Sequence, residues 1–227
     1  PRSIELWIEK AQILSKKYKL YNDSINAFSM GLTYEPFNKE ILRLRGIKYI
    51  PLLQFERSAA DLEMASKIDK DNWDVWYHLG LAYYLIGDYE RANNALDFCL
   101  KITEENDNKI FAVIDWKWLT LKKLGRNSEA KTILKKANID LDGGDCEVYK
   151  KRVLVYKGIL NAEKLLEKKA STKDDIAIVT HEFGVSMYYF YNGKVQEAFK
   201  LLEKILERKH CFNAFAYSAA SVEIKRI

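Results

Sequence analysis

Three prolines, ten glycines, three histidines and three cysteines are spread over 227 residues, and each scarcity removes a class of protein. So few turn formers argue against an all-β chain, which breaks every few residues at Gly, Pro or Asn. Nearly half of the residues are hydrophobic and 13% are aromatic, which excludes a disordered chain. Cys99, Cys146 and Cys211 lie far apart without CxxC spacing, so no zinc knuckle or redox motif is encoded. Their odd number leaves at least one thiol unpaired and favours a reducing, cytoplasmic compartment. Removal of an export signal ahead of Pro1 would instead place the chain in the periplasm or envelope. No apolar run approaches the roughly 20 residues of a membrane span. The motifs GxGxxG, GxxxxGK[ST] and GxSxG are absent, and with them the phosphate-cradling loops and the nucleophile elbow they encode.

A surplus of one charge is also missing. The formal net charge is +5, and 32 acidic residues are interspersed among 37 lysines and arginines, as in LEKILERK. A nucleic-acid binder gathers its cations on one face with few acids between them, so no nucleic-acid partner is expected. Leu, Lys, Glu, Ala and Ile dominate instead, which are helix formers. The fold class expected is all-α.

The aromatic-rich stretch VWYHLGLAYYLIGDYERA shows how those helices are arranged. Gly80 and Tyr83 lie 34 residues after Gly46 and Tyr49, Leu96 lies the same distance after Leu62, and Leu62 after Phe28. Self-matching at one fixed spacing signals a repeat array. Gly87 recurs as Gly125 and Gly193, each followed five residues later by an alanine (Ala92, Ala130, Ala198). Trp76, Leu79, Gly80 and Tyr83 share one helical face. The face then meets a second helix on which Ala92 and Cys99 flank Leu96. Such a pair cannot bury its own apolar surface and must stack on neighbours.

The WxxLGxxY pattern at Trp76–Tyr83, with Ala92 and Leu96, resembles the tetratricopeptide repeat. The resemblance implies a right-handed α-solenoid in one domain, with units at about 5–38, 39–72, 73–106, 111–142 and 179–212. A divergent unit would occupy 143–178, four extra residues in EENDNK would shift the frame, and a capping helix would fill 213–227. The order of strong central repeats, DWKWL, VYKGILNAEKLLEKKA and then EFGVSMYYFYNGKVQEA is similar to a bacterial group that includes the NlpI-type envelope lipoproteins. That narrower likeness implies an adaptor recruiting peptidoglycan hydrolases or proteases, often as a dimer.

The remaining chemistry reads as structural. His78 has only Asp74 and Ala82 one turn away, too little for a metal site. His210 and Cys211 are adjacent, and neighbours on a helix do not share a face. DLDGGD at Asp140–Asp145 lacks the glycine and glutamate of a calcium loop, and DKDNWD at Asp69–Asp74 falls where the repeat expects a loop. No catalytic, cofactor or metal residue is assigned, and the expected function is a non-enzymatic scaffold or adaptor holding a protein or peptide. Tetratricopeptide resemblance places Arg43, Ile47, Tyr77, His78, Leu81, Tyr84, Trp116, Lys122, Phe183, Met187 and Phe190 along a concave, peptide-binding groove. At the positions where co-chaperones of this family clamp a C-terminal carboxylate stand Arg43, Ile47, His78, Ala112 and Trp116, and only the first suits that role. The groove is therefore expected to be an apolar strip edged by Arg43 and Lys122. Two alternatives are that it is filled as core, or that it closes on a second copy to make a homodimer.

Overall fold

The computed structural model describes residues 3–104, 107–167 and 175–227. Among these the secondary structure is helical throughout, without a strand. The frame shift expected in EENDNK falls partly on Glu105 and Asn106, outside the described residues. The helices group into two compact units, residues 1–88 and 89–227.

The first unit contains α1 (Ile4–Lys16), α2 (Tyr21–Tyr34), α3 (Lys39–Tyr49), α4 (Phe55–Ile68) and α5 (Trp73–Ile86). Asparagines start two of them: Asn38 accepts a hydrogen bond from the Ile41 amide (3.0 Å) and Asn72 from the Val75 amide (3.3 Å). Each satisfies one of the amides that a helix start leaves without an intrahelical partner. Trp7, Ala11, Ala27, Phe28 and Ile41 form the core between α1, α2 and α3. Gly46 lets α3 and α4 approach, since a Cβ there would lie 2.8 Å from Leu62 Cγ and 3.3 Å from the Ser58 carbonyl oxygen. Arg45 joins three helices. It grips Asp61 of α4 through Nε (2.7 Å) and a terminal nitrogen (2.8 Å), and donates to Ser29 Oγ of α2 at 2.9 Å. That two-pronged geometry is the strong form of an arginine–carboxylate pair.

The second unit runs through α6 (Tyr89–Lys101), α7 (Ile110–Lys123), α8 (Asn127–Lys135), α9 (Glu147–Tyr156) and α10 (Ala162–Leu166). It continues with α11 (Asp175–Tyr191), α12 (Val195–Glu207) and α13 (Phe215–Glu223). Val155, Ala162, Leu165, Val185, Tyr189 and Ala198 pack into a core shared by α9 to α12. Glu223 of α13 is fully buried and receives the Lys123 ammonium from the end of α7, which fastens the last helix to the fourth pair. In the divergent segment α9 stops at Tyr156, and Gly158 turns the chain with φ of 72°.

Turns between paired helices follow one device. Gly87 has φ of 98°, and its amide donates to the carbonyls of Tyr83 and Tyr84 that α5 leaves open. Gly125 and Gly193 take the same left-handed conformation after α7 and α11, as their recurrence in the sequence implies. The structure adds what the glycine pattern could not show. Lys19 and Leu53, each one 34-residue period apart from the next and from Gly87, also have positive φ, at 57°. Within the first unit the turn thus recurs after α1 and after α3, each time with a side chain in a strained backbone region. Leu53 is about half exposed, so its side chain returns little for that strain. Leu53→Gly is expected to raise unfolding free energy by up to about 1 kcal/mol, the relieved strain exceeding the entropy that glycine adds to the unfolded chain. Urea titration of the variant beside the parent protein measures it.

Candidate functional site

The residues assigned to an open apolar strip are mostly interior. Tyr77, Leu81, Tyr84, Trp116, Phe183 and Met187 are at most 4% exposed, and His78 is 7% exposed. Arg43, Ile47, Lys122 and Phe190 are half-buried. Seven of the eleven are thus interior rather than exposed on an open strip.

Within the first unit, Tyr77 stacks on Trp73 at 4.8 Å between ring centroids. His78 turns Nδ1 to the Asp74 carbonyl oxygen at 2.7 Å, with the Asp74 carboxylate at 3.1 Å. Arg43 reaches that carboxylate from α3. Burial opposes the charge on Asp74, yet His78 and Arg43 together outweigh it and hold the carboxyl well below its usual range. This Arg43–Asp74–His78 chain fastens α3 to α5, which is a structural use of a histidine.

In the second unit the reason for burial is a single side chain from the divergent segment. Arg152 of α9 is completely buried, as is its partner Asp115 of α7, 2.9 Å away. Its guanidinium lies 5.7 Å from the Trp116 ring and 5.3 Å from Phe183, with Tyr149 at 5.6 Å. Trp116 and Phe183 are brought together, centroids 5.9 Å apart, but as the walls of this ion pair. Arg152 Nε also faces the Tyr156 hydroxyl at 3.3 Å. Burial pushes the Asp115 carboxyl up to about 6 against the pull of Arg152, while the same pairing drives the guanidinium further into its charged form despite the desolvation that opposes it. The pair stands at contact distance without a well-aligned hydrogen bond between the two groups.

His210 and Cys211 occupy a short 3-10 turn, Lys209–Cys211, at the junction between α12 and α13. Together with Asp175 they place three possible ligand atoms within 4.8 Å of one another. His210 Nε2 is 2.7 Å from the Asp175 carboxylate. Burial, with the Asp175 charge beside it, pushes the Cys211 thiol up, which disfavours the thiolate a nucleophile needs. DLDGGD lies between α8 and α9, and DKDNWD joins α4 to α5, its Trp73 and Asp74 forming the first turn of α5.

A cavity the sequence reading missed opens beside α7, α8 and α11. Its volume is about 280 Å³, and it is lined by Trp118, Lys122, Asn127, Ala130, Lys131, Leu134, Tyr156, Lys157, Gly158, Tyr188, Tyr191 and Asn192. Trp118 stacks flat on Tyr156 at 3.9 Å and meets Tyr191 edge-on at 5.7 Å. Lys122 sits 4.9 Å above the Tyr191 ring and donates to Asn127 Oδ1 at 2.5 Å. Of the strip residues, only Lys122 belongs here. The signal that could have pointed to it is the distribution of acids: DWKWLTLKKLG and YYFYNGK carry aromatics and lysines with one aspartate between them.

Burial reverses the roles expected of two aromatics. Trp76 is half-buried, its indole nitrogen donating to the Lys70 carbonyl at 2.6 Å, whereas Tyr84 is fully buried. Tyr84→Ala should cost about 3–5 kcal/mol, as large aromatic deletions in cores do, and Trp76→Ala clearly less. Denaturant melts of the two variants check the order. The ion pair gives a second test. Arg152→Met or Asp115→Leu alone strands a buried charge and should cost about 3–5 kcal/mol, while the double variant should recover most of that loss. A double-mutant cycle by chemical denaturation measures the coupling.

Comparison with known proteins adds family information to this geometry. Residues 74–97 match the tetratricopeptide repeat family model. The chain is 30% identical over 97 residues to the heat-shock protein cognate co-chaperone sgt12 of Aspergillus fumigatus, a stretch covering 43% of this chain and 28% of that protein. Over 100 residues it is 26% identical to the human DnaJ homolog subfamily C member 3, covering 39% and 20% respectively. It therefore spans less than a third of the length of the curated relatives it matches. A solved structure of MamA AMB-1 superimposes with a TM-score of 0.56 at 20% identity, covering 63% of this chain and 82% of that one. The narrower NlpI-type likeness is carried by none of these matches. The chain is helical throughout its described residues, is similar to the tetratricopeptide repeat family over residues 74–97, and has a fold similar to that of MamA.

Proposed function

We propose that the protein is a non-enzymatic scaffold that binds a segment of another protein. The observation that carries this reading is how the polar and aromatic landmark residues are used. His78, Asp74 and Arg43 are spent on joining α3 to α5, and Asp115, Arg152, Trp116 and Phe183 on joining α7, α9 and α11. The one cluster of ligand-type groups among the described residues has a thiol whose ionisation is suppressed. Catalysis needs an activated nucleophile or a poised base within reach of a shared point in space, and these groups are committed to packing. A stack of helix pairs instead offers a long, rigid surface on which a partner can lie. The co-chaperone relatives, by their names, work alongside other proteins, which favours the same class.

Selection of random peptides displayed on phage against the immobilised, folded protein tests the reading. Enriched sequences should then bind saturably in solution, with dissociation constants in the range of about 1–100 μM that a modest, preformed surface supports. Failure to enrich any sequence over a bare support would overturn it.

A further inference from the structure

We propose that the cavity beside α7, α8 and α11 seats an acidic peptide segment, an apolar residue of which lies on Trp118 and Tyr191 while a neighbouring carboxylate is held by Lys122, Lys131 and Lys157. This rests on the scaffold reading and narrows it to one site and one kind of ligand.

The charge pattern of the walls is the first argument. Three lysines line the cavity and no aspartate or glutamate does, in a chain where acids are nearly as numerous as bases. The polar partners of two of them are neutral. Lys122 donates to Asn127 (2.5 Å), and Lys157 to the backbone carbonyl of Ala137 (3.1 Å). Lys131 is exposed and makes no ion pair among the described residues. Burial depresses the Lys122 ammonium below its usual range, and the Lys131 charge beside it adds to the effect. A carboxylate entering the cavity would relieve both penalties, since a nearby negative charge favours the charged lysine.

The floor is the second. Trp118, Tyr156 and Tyr191 present a stacked and edge-on aromatic surface, the type of concave apolar wall with a few convergent polar groups that ligand sites use. Gly158 at the rim has open space where a Cβ would stand, so the entrance is not walled by that turn. No arginine lines the cavity, so its three ammonium groups act on an anion as point charges.

The test is fluorescence anisotropy with two labelled octapeptides that differ only in Phe-Glu-Glu against Phe-Gln-Gln at the centre. The acidic peptide should bind about tenfold more tightly, the scale of losing a charge-assisted hydrogen bond. Lys122→Gln with Lys131→Gln should weaken it about tenfold again, and Lys131→Gln alone, at an exposed side chain, should weaken it without moving the thermal midpoint. Equal binding of the two peptides overturns the proposal, as does undiminished binding by the double variant. Displacement of the acidic peptide by millimolar inorganic phosphate would make the cavity a general anion site and overturns it too. Phage-selected peptides that bind the double lysine variant undiminished would sink this inference and leave the scaffold reading standing.

Discussion

A fully buried guanidinium decides how the second unit is built. Arg152 cannot lose its proton, and no water is at hand to solvate it, so everything around it must compensate. Asp115 supplies the counter-charge and Trp116 and Phe183 supply ring faces. Gly184 of α11 supplies room: a Cβ there would come within 2.3 Å of Arg152 Nε and 2.6 Å of its Cγ. Three helices are thereby fixed relative to one another by one residue of α9, in a segment where the repeat pattern itself is lost. Ion pairs this deep add little net stability over an apolar core, because desolvation consumes most of the attraction. What this one does fix is position, since any displacement of α7, α9 or α11 would strand a charge.

The first unit reaches the same end by ordinary repeat packing. Small residues carry the close approaches, as at Gly46 against Leu62, and the Arg45–Asp61 grip adds a polar tie at a partly exposed site. The positive φ values at Lys19, Leu53 and Gly87 show that the turn between paired helices is a property of the geometry, not of the glycine. Packing of the two helices determines where the chain must reverse, and the residue at that point adapts. At Lys19 and Leu53 that residue bears a side chain, whereas Gly87, which closes α5, is the type best suited to the conformation.

Much of the fold was legible because two periodicities, 3.6 and 34 residues, act at different scales and agree. Helix ends at Gly87, Gly125 and Gly193, caps at asparagines and the break at Gly158 all follow from local chemistry. The candidate site was far less legible. Periodicity says which residues share a face; it does not say what covers that face. Trp116 and Phe183 occupy positions that a regular repeat leaves open, and they are buried because an arginine from a segment outside the pattern packs on them. Nor does periodicity show that the turn holding His210 and Cys211, after α12, comes beside Asp175 at the start of α11.

The same irregularity gives the cavity its character. In a regular pair the groups at the end of the first helix are consumed by the next pair. Here Tyr156, the last residue of α9, instead offers its ring to Trp118 while its hydroxyl faces inward to Arg152. One side chain therefore joins the buried ion pair to the cavity floor. The acids of the unit have been drawn elsewhere, Asp115 to Arg152 and Glu223 to Lys123, which leaves Lys122, Lys131 and Lys157 facing the opening without counter-charge from its walls. The positive character of the cavity thus follows from how the core satisfies its own buried charges.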